Sequence, residues 1–231
     1  MRTLIRYSLI FAFCFLSALA ANAQMSLIKG VPFEATRTRI IDLPGDNYTV
    51  SGMVARSSNG STYEEVIDPK TGEINAIQIL DALGRRSIFL DVKRRFYGIY
   101  PAKFAPLGNA PSKEALEKHI EVLKTLKPTR TVEDGYDTET TYLGFRTQDG
   151  FLEFGRRMVF DSVPASSRLQ QKIWEDWTVP ALSITIEKTG FDADHKPVQI
   201  IRLSNIRTEE PDPRLFEIPP GYTPWPANSS K

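Results

Sequence analysis

The chain of 231 residues has a single cysteine, Cys14, and it lies in an N-terminal segment with the marks of a removable leader. The rest has none. That excludes a disulfide framework, a thiol nucleophile, a CxxC redox pair and thiolate metal sites. Phe13 precedes Cys14 and no cysteine stands at the expected cleavage point, so lipid attachment is not expected. Neither charge sign is in excess: 29 Lys and Arg face 28 Asp and Glu. This balance gives no general pull toward nucleic acid or an anionic membrane surface. Arg85-Arg86, Lys93-Arg94-Arg95 and Arg156-Arg157 read as solvated residues flanking turns and strands.

Histidine is scarce as well. His119 and His195 are the only two, with no HExxH pattern, so convergent zinc ligands are missing. Asp192, Asp194 and His195 cluster in one segment, which reads as a solvated turn because the calcium-loop spacing is absent. No G-x-S-x-G, S-x-x-K, P-loop or GxGxxG pattern occurs. The neighbouring acids Glu64-Glu65, Glu133-Asp134 and Glu209-Glu210 would point to opposite faces of a strand and would not converge on one substrate. The expectation is a protein that is not an enzyme and has no metal or other cofactor. An exported hydrolase is kept as an alternative, since glycosidase carboxylates come from distant segments.

Long apolar runs are limited to one. Arg2 and Arg6 precede Leu9 to Leu16, and Ala21-Asn22-Ala23 supplies small residues for a signal peptidase. Residues 1–23 therefore read as a signal peptide cleaved before Gln24. The run is too short to span a bilayer, and no later segment resembles a transmembrane stop. Cleavage leaves 208 of the 231 residues, a periplasmic or secreted chain. Residues 24–227 are expected as one β-rich domain and residues 228–231 as a frayed tail.

One helix is expected, from Ser112 to about Lys127. Leu116, Ile120, Leu123 and Leu126 recur at helical spacing, Glu114 suits the first turn, and Pro128 stops the run. Almost everything else reads as strands. Asp68-Pro69-Lys70-Thr71-Gly72 separates Val66-Ile67 from Ile74 to Leu80. Thr147-Gln148-Asp149-Gly150 separates Glu139 to Arg146 from Phe151 to Phe160, and its Asp-Gly pair favours a hairpin. Further strands are expected at Arg86 to Leu90, Arg95 to Tyr100, Leu169 to Thr178, Leu182 to Lys188 and Val198 to Ile206. Short turns without helical crossovers predict an antiparallel sheet. Trp174 and Trp177, three apart on one strand, are expected on opposite faces.

The last forty residues carry a family resemblance. Glu209 to Tyr222 (EEPDPRLFEIPPGY) resembles an EPDPxLFxxPxGY ending found in exported bacterial proteins, and Ile173 to Trp177 and Ile201 to Ile206 fit the block before it. That group in turn resembles the LolA/LolB superfamily of periplasmic lipoprotein carriers. The resemblance implies an α+β, mainly β fold: a curved antiparallel sheet forming a half-open barrel, with one or a few helices packed on its concave face. It also implies an apolar ligand, a lipid or lipoprotein acyl chain, held between sheet and helix. No acyl-binding residue can be carried over by position. Applied to the apolar row of the helix, the resemblance implies Leu116, Ile120 and Leu123 as the candidate ligand-binding residues, facing the Val198 to Ile206 strand. The alternative is an envelope sensor or interaction module that binds a partner protein through a sheet edge or face. Phe216 is expected as a buried anchor of the tail.

Overall fold

Strands joined by short turns return antiparallel to their neighbours, so the turn chemistry sets the order of this sheet. The computed structural model describes residues 28–103, 107–133, 136–162 and 172–226. The expected leader, the frayed tail and the start of the strand expected from Leu169 lie outside the described residues.

The strands are β1 (Ile28–Lys29), β2 (Phe33–Leu43), β3 (Asp46–Arg56), β4 (Thr62–Ile67), β5 (Ile74–Asp81), β6 (Arg86–Asp91), β7 (Phe96–Pro101) and β8 (Gly108–Asn109). After helix α1 (Lys113–Lys124) come β9 (Thr129–Glu133), β10 (Tyr136–Gln148), β11 (Phe151–Ser162), β12 (Lys172–Val179), β13 (Ile184–Phe191) and β14 (Pro197–Arg207). A 3-10 turn, Pro213–Phe216, and β15 (Thr223–Pro224) end the chain. Thirteen strands form one sheet, in the order β15-β7-β6-β5-β4-β3-β2-β14-β13-β12-β11-β10-β9. Two meanders, β2 to β7 and β9 to β14, are fused where β14 pairs antiparallel with β2. Within this sheet only β15 runs parallel to its neighbour, β7; β1 and β8 pair in parallel as a separate two-stranded sheet. The sheet is mainly antiparallel and does not close, because β15 and β9 are its two ends.

The hairpins show why these sequences turn. Asp149 and Gly150 both take positive φ, at 51° and 82°, as a tight Asp-Gly turn requires. The β5–β6 and β6–β7 turns repeat one device. Asp81 accepts from the Gly84 N–H and Asp91 from the Arg94 N–H, and the residue after each donor, Arg85 and Arg95, enters the left-handed region. The Asp side chain supplies the local bond that makes this turn.

Two apolar cores lie on opposite faces of the sheet. Val54 packs with Phe33, Ala35, Val179, Ile184 and Leu203, while its neighbour Ala55 packs with Tyr63, Ile79, Ile88 and Leu90. Consecutive strand residues point to opposite sides, so β3 belongs to both cores.

The tail, not the helix, covers the second core. Leu215, Phe216, Ile218 and Tyr222 pack on it. The EPDP sequence holds them there. The Glu210 carboxylate accepts from the Ser58 N–H at 3.0 and 3.1 Å, and Asp212 caps the 3-10 turn by accepting from the Arg214 N–H at 3.0 Å. Thr223 and Trp225 N–H groups donate to the carbonyls of Arg95 and Tyr97, which stitches β15 to the edge. Phe216 is half-buried rather than fully enclosed. It is one of four side chains sharing the cover, so its loss should cost less than that of a fully buried ring.

The Arg214 guanidinium and N–H hold the Asp212 carboxyl at about 2. A depressed folded value contributes stability above the unfolded value of about 3.9, and that contribution is lost as pH falls toward 2. NMR titration of the Asp212 carboxyl is expected to show its midpoint near 2. Arg214→Ala should move it up toward the ordinary range, and an unmoved midpoint would detach Arg214 from the cap.

Candidate functional site

The helix forms where expected. Ser112 is its N-cap, its hydroxyl accepting from the Ala115 N–H at 3.2 Å, and the helix ends at Thr125, before Pro128. Its apolar row is only partly covered. None of its side chains is buried, Leu116, Ile120 and Leu123 are only half-buried, and Val122 and Leu126 are exposed. The α1 backbone makes no extended close approach to any described strand. An apolar row three to four residues apart reports that one helix face avoids water, but not which element covers it.

The WEDW segment behaves as expected. Trp174 is opposite Gly190 and Trp177 is paired with Gly155, so the two rings lie on opposite faces of β12. Each ring covers a glycine on the neighbouring strand and is capped by a cation. Lys188 Nζ sits 4.7 Å from the Trp174 ring centroid, and the Arg146 guanidinium 3.8 Å from that of Trp177. A Cβ added at Gly155 would stand 2.7 Å from the Trp177 ring, against 3.0 Å from Trp174 for one added at Gly190. Gly155→Ala is thus expected to destabilise by about 1–3 kcal/mol through overpacking. Gly190→Ala should cost less, and equal melting temperatures for the two variants would contradict the ring placement.

On the Trp177 face a charged network spans β10 to β14. Arg146 Nε donates to Glu153 Oε2 at 2.6 Å, and its Nη2 lies 3.7 Å from Glu187, which also pairs with Arg202 at 2.7 Å. The Glu153 side chain is fully buried and its Oε1 has no hydrogen-bond partner. Burial raises its carboxyl above the usual range, outweighing the Arg146 bond that lowers it. Two carboxylates do converge here, but Glu153 is closed to solvent and Glu187 is held between two arginines. A substrate meets no free acid–base pair in this network.

Two open hollows flank the end of β14, of about 640 and 340 Å³, sharing Asn205 and Ile206 in their walls. Their polar groups are largely paired with each other. Arg207 pairs with Glu34, Asn205 reaches Thr36 at 3.4 Å, and Glu65 accepts from the Met53 N–H and the Tyr63 hydroxyl. Among the described residues no group of three or more His, Asp or Glu is placed to hold a metal ion, and no helix is long and apolar enough to cross a membrane. His195 takes φ of 60° in the β13–β14 turn, where Asp192 accepts from the N–H groups of Asp194 and Lys196.

The sheet edge at β9 is different. No described strand pairs with its outer side. Thr129 to Val132 are exposed, with Val132 at 68%. The segment has no proline and no bulge against β10, whereas the neighbouring stretch of β10 carries an irregularity at Tyr142 and Gly144, with Gly144 at φ 83°. Of the devices that blunt an edge, β9 has charged residues, Arg130 and Glu133, but neither a bulge nor a proline.

No protein-family model and no curated protein matches this sequence. Among solved structures, the chain is similar to an uncharacterized conserved protein from Thermus thermophilus. The identity is 10% and the TM-score 0.49, over 84% of this chain and 90% of that one. It is also similar, at 8% identity and a TM-score of 0.20, to a LolA superfamily protein from Nitrosomonas europaea, over 81% of this chain and 90% of that one.

Proposed function

We propose that this protein is a non-enzymatic interaction module that works in the cell envelope after export, and that it binds an extended segment of a partner protein along β9. The exposed outer edge of β9, which no described strand covers, carries this reading. Its outward N–H and C=O groups offer a partner strand main-chain hydrogen bonds, and alternate side chains offer specificity. The packing of the protein's own tail on the second core supports it, since Leu215, Phe216, Ile218 and Tyr222 occupy the space over that core. The half-exposed row Leu116, Ile120 and Leu123 supports a second reading, in which a lipid or lipoprotein acyl chain packs against the helix in a LolA-like half-barrel.

A photo-crosslinking residue at Val132 tests the first reading, with the exposed hairpin position Lys70 as control. A discrete protein adduct at Val132 and none at Lys70 is expected in the native host. Alternate N–H groups of a strand point outward, so one of Thr131→Pro and Val132→Pro should abolish the adduct with little change in melting temperature. The other should break a bond to β10 and lower stability. Absence of any adduct along β9 in host cells would contradict the reading.

A further inference from the structure

On the face that carries Trp174, the register lines up a row of side chains across five strands. Val50 on β3 opposes Arg39 on β2, Arg39 opposes Ile201 on β14, Ile201 opposes Lys188 on β13, and Lys188 opposes Asp176 on β12. Arg156 on β11 then takes Asp176 in a two-bond pair at 2.7 and 3.0 Å. Directly opposed residues share a face. The one acid of the row is therefore consumed by Arg156, and two cations are left over.

Arg39 has no ion pair among the described residues, and its Nε is buried without a hydrogen-bond partner. Its direct neighbours, Val50 and Ile201, are apolar. Lys188 has a ring beneath it and no carboxylate of its own. Desolvation lowers the Lys188 amine below its usual value, Asp176 works against that, and Arg156 adds to it. Arg39 and Lys188 stand two strands apart, about 10 Å between backbones, and long side chains from both can reach one guest. Unmatched cations in a partly desolvated setting attract an anion more strongly than solvated ones do.

We propose that this face binds the anionic group, phosphate or carboxylate, of a small organic ligand, with Arg39 and Lys188 as its charge partners and the Val50 and Ile201 side chains against its apolar body. This site lies on a sheet face and does not depend on the β9 edge. The two proposals can fail separately.

Titration of the purified chain with phenyl phosphate, inorganic phosphate and benzylamine tests it, with NMR of the Lys188 ammonium and calorimetry as readouts. Saturable phenyl phosphate binding is expected, tighter than inorganic phosphate, with no binding of benzylamine. The Lys188 amine should titrate at higher pH in the complex. Arg39→Gln and Lys188→Gln are each expected to weaken binding by about tenfold or more, as loss of a charge-assisted bond does. Lys188→Arg should retain it at an unchanged melting temperature. If inorganic phosphate binds as tightly as phenyl phosphate, the charge partners stand and the apolar contact falls. No saturable binding of either phosphate, or binding untouched by both glutamine variants in folded protein, would overturn the proposal.

Discussion

Arg56→Ala is expected to destabilise the protein by about 3–5 kcal/mol, one of the two largest single-residue effects in the molecule. Arg56 ends β3 with no solvent exposure. Its Nε donates to the Val31 carbonyl at 2.9 Å, its Nη2 to the Leu182 carbonyl, and its guanidinium lies 5.0 Å from the Phe33 ring centroid. It thereby ties the segment just before β2 to the β12–β13 turn, across the join of the two meanders. Truncation leaves carbonyls unsatisfied, at about 1–3 kcal/mol each, and opens a void. Burial lowers the guanidinium to about 10, so the buried charge itself is a cost. Arg56→Met fills most of the volume and removes that cost, so it should be milder than alanine. Urea unfolding of both variants checks this. Equal loss in the two would show that the hydrogen bonds, rather than the filled volume, dominate.

Phe33→Ala should cost a similar amount, about 3–5 kcal/mol. The ring is wholly buried in the core formed with Ala35, Val54, Ile184 and Leu203. It sits at the start of β2, the strand that joins the meanders, so the void opens where the two halves meet. Phe33 and Arg56 are opposed in the β2–β3 register, and contacting residues do not add. The double variant is expected to lose less than the sum of the singles. Additive losses would mean that the cation over the ring contributes nothing.

Much of the strand and turn plan was legible. Asp149-Gly150 announced a tight hairpin, Pro69 and Gly72 marked the β4–β5 turn, and Ser112 with Pro128 bracketed the helix. The three-residue spacing of Trp174 and Trp177 fixed their opposite faces. These are local signals, read from dihedral preference and alternation. The partner of each surface was not legible. Leu116, Ile120 and Leu123 form an apolar row, yet the side chains that cover the second core come from the tail. The EPDP sequence was visible only as a resemblance. Its mechanics depend on Ser58, which lies 152 residues before Glu210. Two cores on opposite faces were also missed. Val54 and Ala55 are adjacent apolar residues, and such a pair says that both faces are covered without saying by what. The Arg39–Lys188 row was invisible for the same reason: those residues, far apart in the chain, share a row only through the β2–β14 and β13–β14 pairings.

The most direct test of the interaction role is hydrogen exchange across β9. In the purified protein, a peptide covering Thr129–Glu133 should exchange fast, because its outer amides face water. When protein from the host envelope is added, that peptide is predicted to become protected while the β6–β7 hairpin stays unchanged. A β9 that is already slow in isolation, or one left unprotected by the envelope fraction, would contradict strand addition at this edge.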